Sequence, residues 1–116
     1  MYETNNIFAK ILRGELPCDK VYEDEKVLFF NDINPKAKIH IIGVPKLEVL
    51  NFGDFISQAE AKVVQYFFSK VYEVVKNKRI EKTGFKIITN SGDNGGQEVQ
   101  HFHVHILGGE KLINKN

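Results

Sequence analysis

His101-Phe102-His103-Val104-His105-Ile106-Leu107 alternates imidazoles with apolar side chains, and Gly108-Gly109 follows. On a strand, successive side chains point to opposite faces. The spacing therefore predicts His101, His103 and His105 on one face and Phe102, Val104 and Ile106 on the other. The apolar face is suited to pack on a core, which turns the imidazoles toward a cleft. Three of the four histidines in the chain lie in this stretch. Imidazole is the side chain best suited to act as nucleophile, acid, base or metal ligand near neutral pH.

The rest of the pattern supplies a frame for that strand. Thr4-Asn5-Asn6 offers capping side chains before Ile7, Phe8, Ile11 and Leu12, which share one helical face, and Gly14 can close the helix. Val21-Tyr22 and Val27 to Phe30 read as two strands joined by Glu23-Asp24-Glu25. Ile39 to Val44 is a β-branched run and carries the fourth histidine, His40. Ser57-Gln58-Ala59-Glu60 has the form of a capping box. After it Val63, Val64, Phe67, Phe68, Val71, Val74 and Val75 recur at helical spacing to about Asn77. Phe85 to Thr89 reads as a strand, Ser91 to Gly96 as a glycine-rich loop, and Val99 to Leu107 as the histidine strand. The expected architecture is α+β: an antiparallel sheet of about five strands with one long and one short helix. Residues 1–116 form one expected domain, with its core at about 7–109 and a short polar tail at 110–116.

Composition removes several function classes. The chain has 116 residues, is 42% hydrophobic and carries a net charge of +1. That balance offers no basic stripe for nucleic acid. Its one cysteine, Cys18, allows neither an intrachain disulfide nor a cysteine metal cluster, which suits a reducing cytoplasm. Residues 1–13 lack the apolar run of a signal peptide, and no stretch approaches the about 20 apolar residues of a membrane span.

Two chemistries compete for the histidine row. Two histidines at i and i+2 can share a Zn²⁺ ion. The i and i+4 pair lies about 13 Å apart along a strand, too far for three rings to converge on one ion, and no cysteine pair completes the site. Nucleophilic catalysis fits better: His103 attacks an electrophile while its neighbours orient it and handle protons. The loop Asn90-Ser91-Gly92-Asp93-Asn94-Gly95-Gly96-Gln97 points to phosphorus, because such a loop can turn backbone N–H groups toward an anion. Taken alone, that loop reads as a hairpin connection. Asp32 reads equally as a turn cap, and His40 as a core histidine.

The histidine stretch resembles the signature of the histidine triad family of nucleotide-binding hydrolases and transferases. The likeness continues in order through Phe8-Ala9-Lys10-Ile11, Gly14-Glu15-Leu16-Pro17, Val21-Tyr22-Glu23-Asp24 and Phe30-Asn31-Asp32-Ile33-Asn34-Pro35. It then takes in His40, Val44-Pro45-Lys46, Asn90 and Gly95-Gly96-Gln97-Glu98-Val99. Gly108-Gly109 is similar to the Hint-like branch, the purine nucleoside phosphoramidases, and the run Gly-Gln-Glu-Val to its bacterial members.

The resemblance implies a fold, an activity and roles. His103 would be the nucleophile that forms a nucleotidyl-histidine intermediate, and His105 would contact the phosphate and assist the leaving group. His101 and His40 would support and polarise the nucleophile. Asn90, Gly96, Gln97 and Glu98 would form the phosphate side. Asp32 would accept the ribose hydroxyls, and Phe8, Ile11, Leu16, Phe30 and Ile33 would hold the base, with Asn31 at the rim. The implied reaction is cleavage of the P–N bond of purine nucleoside 5′-phosphoramidates, without metal or other cofactor. The implied assembly is a homodimer pairing around the long helix and a strand. A Fhit-like dinucleoside polyphosphate hydrolase or nucleotidyl transferase, and a nucleotide-binding interaction module, are the alternatives. Glu98 stands where the animal pattern has a serine.

Overall fold

A computed structural model describes residues 1–113. Among these residues three helices and five strands follow in the order α1 Ile7–Leu12, β1 Asp19–Glu23, β2 Val27–Asn31, β3 Ile39–Pro45, α2 Phe52–Gln58, α3 Ala61–Asn77, β4 Phe85–Ile88 and β5 Val104–Gly108. The strands form one antiparallel sheet in the order β1-β2-β3-β5-β4. The expected α+β class and five-stranded sheet are present. Among the described residues no helix is long and apolar enough to cross a membrane.

Local chemistry accounts for the element ends. Asn6 caps α1 by accepting from the Ala9 N–H. Gly14 sits at φ +79°, and Gly14 and Glu15 donate to the carbonyls of Ile11 and Lys10. That pair of bonds satisfies the last carbonyls of the helix and turns the chain toward β1.

The helix count gains one over the expectation. Residues 52–58 form α2, capped by Asn51, whose side chain accepts from Asp54 N–H while Asp54 accepts from Leu50 N–H. Ser57 therefore lies inside α2, where its hydroxyl donates to Gly53 O. The expected capping box at 57–60 does not form, and α3 starts after Glu60 without a side-chain cap.

The histidine strand is also shorter than its alternation suggests. Pairing with β3 runs from Ile39↔Gly108 to Gly43↔Val104 and stops there. Beyond it the Phe102 N–H bonds Val49 O at 2.9 Å, and His103 O accepts from the Thr89 hydroxyl at 2.7 Å. Residues 99–103 thus lie off the ladder, their polar groups met by the chain after β3 and by the end of β4.

The sheet has two unequal faces. Val27, Phe29, Ile41, Phe102, Val104 and Ile106 pack against Phe55 of α2 and Phe67, Val71, Val74 and Val75 of α3. On the other face Leu28, Phe30, Ile42 and Val44 form a smaller cluster with Phe8 of α1. Gly43 lies opposite Phe29, and a Cβ there would overlap the Phe29 ring. The polar tail begins tethered, since Glu110 accepts from the Lys38 N–H at 2.7 Å. Residues 114–116 lie outside the described residues.

Candidate active site

On the face away from α3, β3 presents His40 and β5 presents His105. The two rings meet diagonally across the pair, with His40 Nε2 2.9 Å from His105 Nδ1. Their partners assign the hydrogens. His40 Nδ1 accepts from the Lys36 N–H at 3.0 Å, so its hydrogen sits on Nε2. That hydrogen is donated to His105 Nδ1, with Asp32 Oδ2 also 3.3 Å from His40 Nε2. His105 therefore carries its own hydrogen on Nε2.

His103 has the opposite arrangement. Its Nδ1 lies 2.7 Å from the carbonyl oxygen of His101. A carbonyl only accepts, so Nδ1 bears the hydrogen and Nε2 keeps a bare lone pair. The ring meets Phe8 edge-on at 4.8 Å and His105 at 5.2 Å. These contacts hold the imidazole plane.

The His101 ring is not part of the cavity wall, contrary to the expected row of three. It is 1% exposed, donates from Nε2 to Pro45 O at 2.9 Å and accepts at Nδ1 from the Tyr2 hydroxyl at 2.6 Å. Departure of residues 99–103 from the ladder breaks the alternation that predicted a common face. His101 reaches His103 through its backbone carbonyl.

Burial sets the charge state. It lowers the pKa of all four histidines, pulling His101 and His105 down to about 4. The charge of His103 adds to the lowering at His105, while Asp32 pulls upward at His40, His103 and His105. At pH 7 the site holds neutral imidazoles, as a nucleophile and a hydrogen donor require.

The rings open on a cavity of about 1050 Å³. Phe8, Ile11, Leu16 and Phe30 line it, together with Asn31, Asp32 and Ile33. Ile33 is 88% exposed, so it is a rim residue that only a ligand would cover. Asp32 Oδ1 accepts from Asn34 N–H at 2.8 Å. It thus caps the turn and still offers Oδ2 beside His40. Asn31 donates to Asp19 Oδ2 at 3.0 Å.

Asn90, Gly96 and Glu98 also line the cavity. The loop engages several of its own donors: Gly95 and Gln97 N–H bond Gly92 O, Gly96 N–H bonds Asp93 O, and the Asn90 side chain donates to Gly95 O. The Gly96 N–H is therefore already engaged. The peptide N–H of Glu98 makes no hydrogen bond among the described residues. Gln97 is also displaced from its expected role. Its buried amide accepts from Gly92 N–H and donates to Leu50 O and Val99 O, outside the cavity.

Several wall residues escaped the sequence reading. Ile42 and Leu107 alternate with His40 and His105 along β3 and β5, a signal the period of two carries. Lys36 and Lys86 also line the cavity, and neither has a distinguishing pattern. Asp32, His40 and His105 offer ligand atoms within 4.8 Å of one another. A divalent cation held there would displace the hydrogen His40 shares with His105.

Comparison with known proteins follows the same lines. Residues 13–112 match the family model described as HIT domain. An uncharacterized HIT-like protein of Rickettsia prowazekii (strain Madrid E) is 45% identical over 113 residues, covering 97% of this chain and 94% of that protein. The purine nucleoside phosphoramidase of Escherichia coli (strain K12) is 36% identical over 106 residues, covering 91% of this chain and 88% of that one. The 0.95 Å structure of a histidine triad protein from Clostridium difficile superposes with a TM-score of 0.89 at 45% identity, covering 100% of both chains.

Proposed function

The chain belongs to the HIT domain family, and we propose that within it this protein hydrolyses the P–N bond of purine nucleoside 5′-phosphoramidates. One observation carries the reading: the bare Nε2 of His103 stands beside a His105 whose Nε2 bears hydrogen. A nucleophile and a hydrogen donor are thus prepared by their partners before substrate arrives. Similarity to the Escherichia coli phosphoramidase supports the choice of bond.

In the proposed cycle His103 Nε2 attacks the α-phosphorus, forming an N–P bond as the P–N bond to the amine breaks. The amine leaves with a proton delivered at His105 Nε2, which His40 backs through Nδ1 of His105. Water then gives its hydroxide to phosphorus and returns a proton to His105 Nε2, cleaving the nucleotidyl–His103 bond and releasing the nucleoside monophosphate. The Glu98 N–H and His105 stabilise the phosphoryl oxygens. Phe8, Ile11, Leu16, Phe30 and Ile33 hold the purine, and Asp32 accepts from the ribose hydroxyls. A homodimer through β4 belongs to this reading, supported by the exposed Phe85 and Ile87 on that edge strand. The apolar stripe of α3 adds no support to the long-helix part of the expected pairing, because Phe67, Val71, Val74 and Val75 are buried in the protein's own core.

A second reading has one feature in its favour. Lys36 and Lys86 on the cavity wall suit an anionic leaving group, as in a dinucleoside polyphosphate. Incubation with a fluorogenic adenosine phosphoramidate and, separately, a dinucleoside polyphosphate, both with EDTA, decides between them. Turnover of the first alone supports the phosphoramidase. Turnover of the second alone transfers the assignment. Activity lost to EDTA points to a cation at Asp32, His40 and His105. Silence on both substrates leaves a nucleotide-binding module.

A further inference from the structure

The buried His101 ring has no place in the proposed cycle, yet both its nitrogens are engaged. Its Nε2–H donates to Pro45 O at 2.9 Å, and its Nδ1 accepts from the Tyr2 hydroxyl at 2.6 Å. Tyr2 also meets the ring edge-on, with centroids 5.6 Å apart at 70°. The carbonyl of this same residue fixes the tautomer of His103. A continuous path therefore runs from the Tyr2 hydroxyl through the His101 ring and backbone to His103 Nδ1. Pro45 closes it from the end of β3.

We propose that Tyr2 is a positioning residue for the nucleophile: its hydroxyl clamps His101 against Pro45, and the clamped His101 backbone holds His103 with its hydrogen on Nδ1 and its lone pair on Nε2. The clamp matters because residues 99–103 lie off the ladder. No neighbouring strand pairs with the His101 peptide, which is held from the backbone by the single Phe102 N–H bond to Val49 O, so the side-chain bonds of His101 share that task. An imidazole whose Nδ1 loses its donor leaves a buried acceptor unmet, and the ring must turn to find another. Turning it pulls at the peptide that His103 depends on. Burial raises the pKa of Tyr2, so its hydroxyl keeps the hydrogen it donates across the neutral range. The segment before α1 thus contributes to catalysis without touching substrate.

This inference rests on His103 as the nucleophile, and its test separates the two claims. Nitrogen-15 spectra of the wild-type histidines come first and need no substrate. His101 is expected with its hydrogen on Nε2 and His103 with its hydrogen on Nδ1; His101 found with hydrogen on Nδ1 overturns the clamp. Tyr2→Phe then removes the hydroxyl and keeps the ring. The expected result is a kcat on adenosine phosphoramidate lower by about tenfold, a KM within about twofold, and a shifted His103 Nδ1 resonance. Tyr2→Leu, which also removes the ring contact, serves as the packing control. A Tyr2→Phe protein with wild-type kcat and an unmoved His103 resonance, beside a Tyr2→Leu protein that only melts lower, reduces Tyr2 to packing and sinks the proposal. If wild-type protein turns over no phosphoramidate, the functional reading falls while the spectra still judge the clamp.

Discussion

On the helix-covered face of the sheet, phenylalanines meet ring to ring: Phe55 stacks on Phe102 at 4.6 Å, and Phe29 on Phe67 at 6.0 Å. On the opposite face His40, His103 and His105 meet through hydrogen bonds and edge contacts around a cavity of about 1050 Å³. The same strands build both, since β3 and β5 alternate their side chains between them. The packed face is non-directional and gains by area removed from water. The other face is directional, and every imidazole hydrogen on it is assigned by a partner. One face can therefore lose volume and keep the chemistry, whereas the other can lose a single nitrogen and keep the fold.

His103→Ala sets the upper end of that contrast. Phosphoramidate turnover is expected to fall by at least about a thousandfold, with the melting temperature nearly unchanged. A comparable loss of stability would show that the site also holds the sheet together.

Acid titration probes the cost of neutral burial. His101 is 1% exposed and its pKa is lowered from 6.5 to about 4. Between those values the unfolded chain binds the proton and the folded protein does not, so unfolding gains as pH falls. The contribution is whole above pH 6.5 and is lost toward pH 4, roughly 3 kcal/mol. Urea midpoints at pH 7 and pH 4.5 measure it together with the like contributions of His40, His103 and His105. The acid limb of kcat/KM is expected below pH 6.5, because burial lowers the pKa of His103 as well.

Gly43→Ala attacks the packed face alone. Its Cβ would overlap the Phe29 ring, so a loss of about 1–3 kcal/mol is expected. The per-molecule rate of folded protein should hold, and a collapsed kcat instead would show that the two faces are coupled. Glu98→Gln is the mildest change. Glu98 is exposed at the cavity wall. Removing its charge is expected to lower KM for an anionic nucleotide about two- to threefold, with little effect on melting.

Alternation made most of this legible in sequence. His40, Ile42 and His105 fall on one face because β3 and β5 keep their ladder at those positions. His101 could not be placed, because the end of the ladder depends on a bond from Phe102 to Val49, which no local pattern announces. The helix at 52–58 did leave a trace in Asn51 and Asp54, hidden by the more familiar spacing of Ser57 and Glu60. The loop at 90–97 was recognisable by its glycines. Which N–H groups stay available depends on its internal turns, and these engage Gly96 while Glu98, just past the loop, keeps its N–H unbonded among the described residues. Tyr2 had no signal at all, since its partner lies 99 residues away.

The sheet order has a consequence for how the molecule is made. β5 comes last in the chain but lies between β3 and β4, and His40 meets His105 across 65 positions. Closing so long a loop delays that pairing relative to the β1–β2–β3 meander. Until it closes, β3 is an open edge and His40 has no partner ring. A chain emerging from the ribosome thus gains its last strand and its catalytic centre in one event, so protection of the central amides from exchange and the first turnover should emerge with the same time constant during refolding.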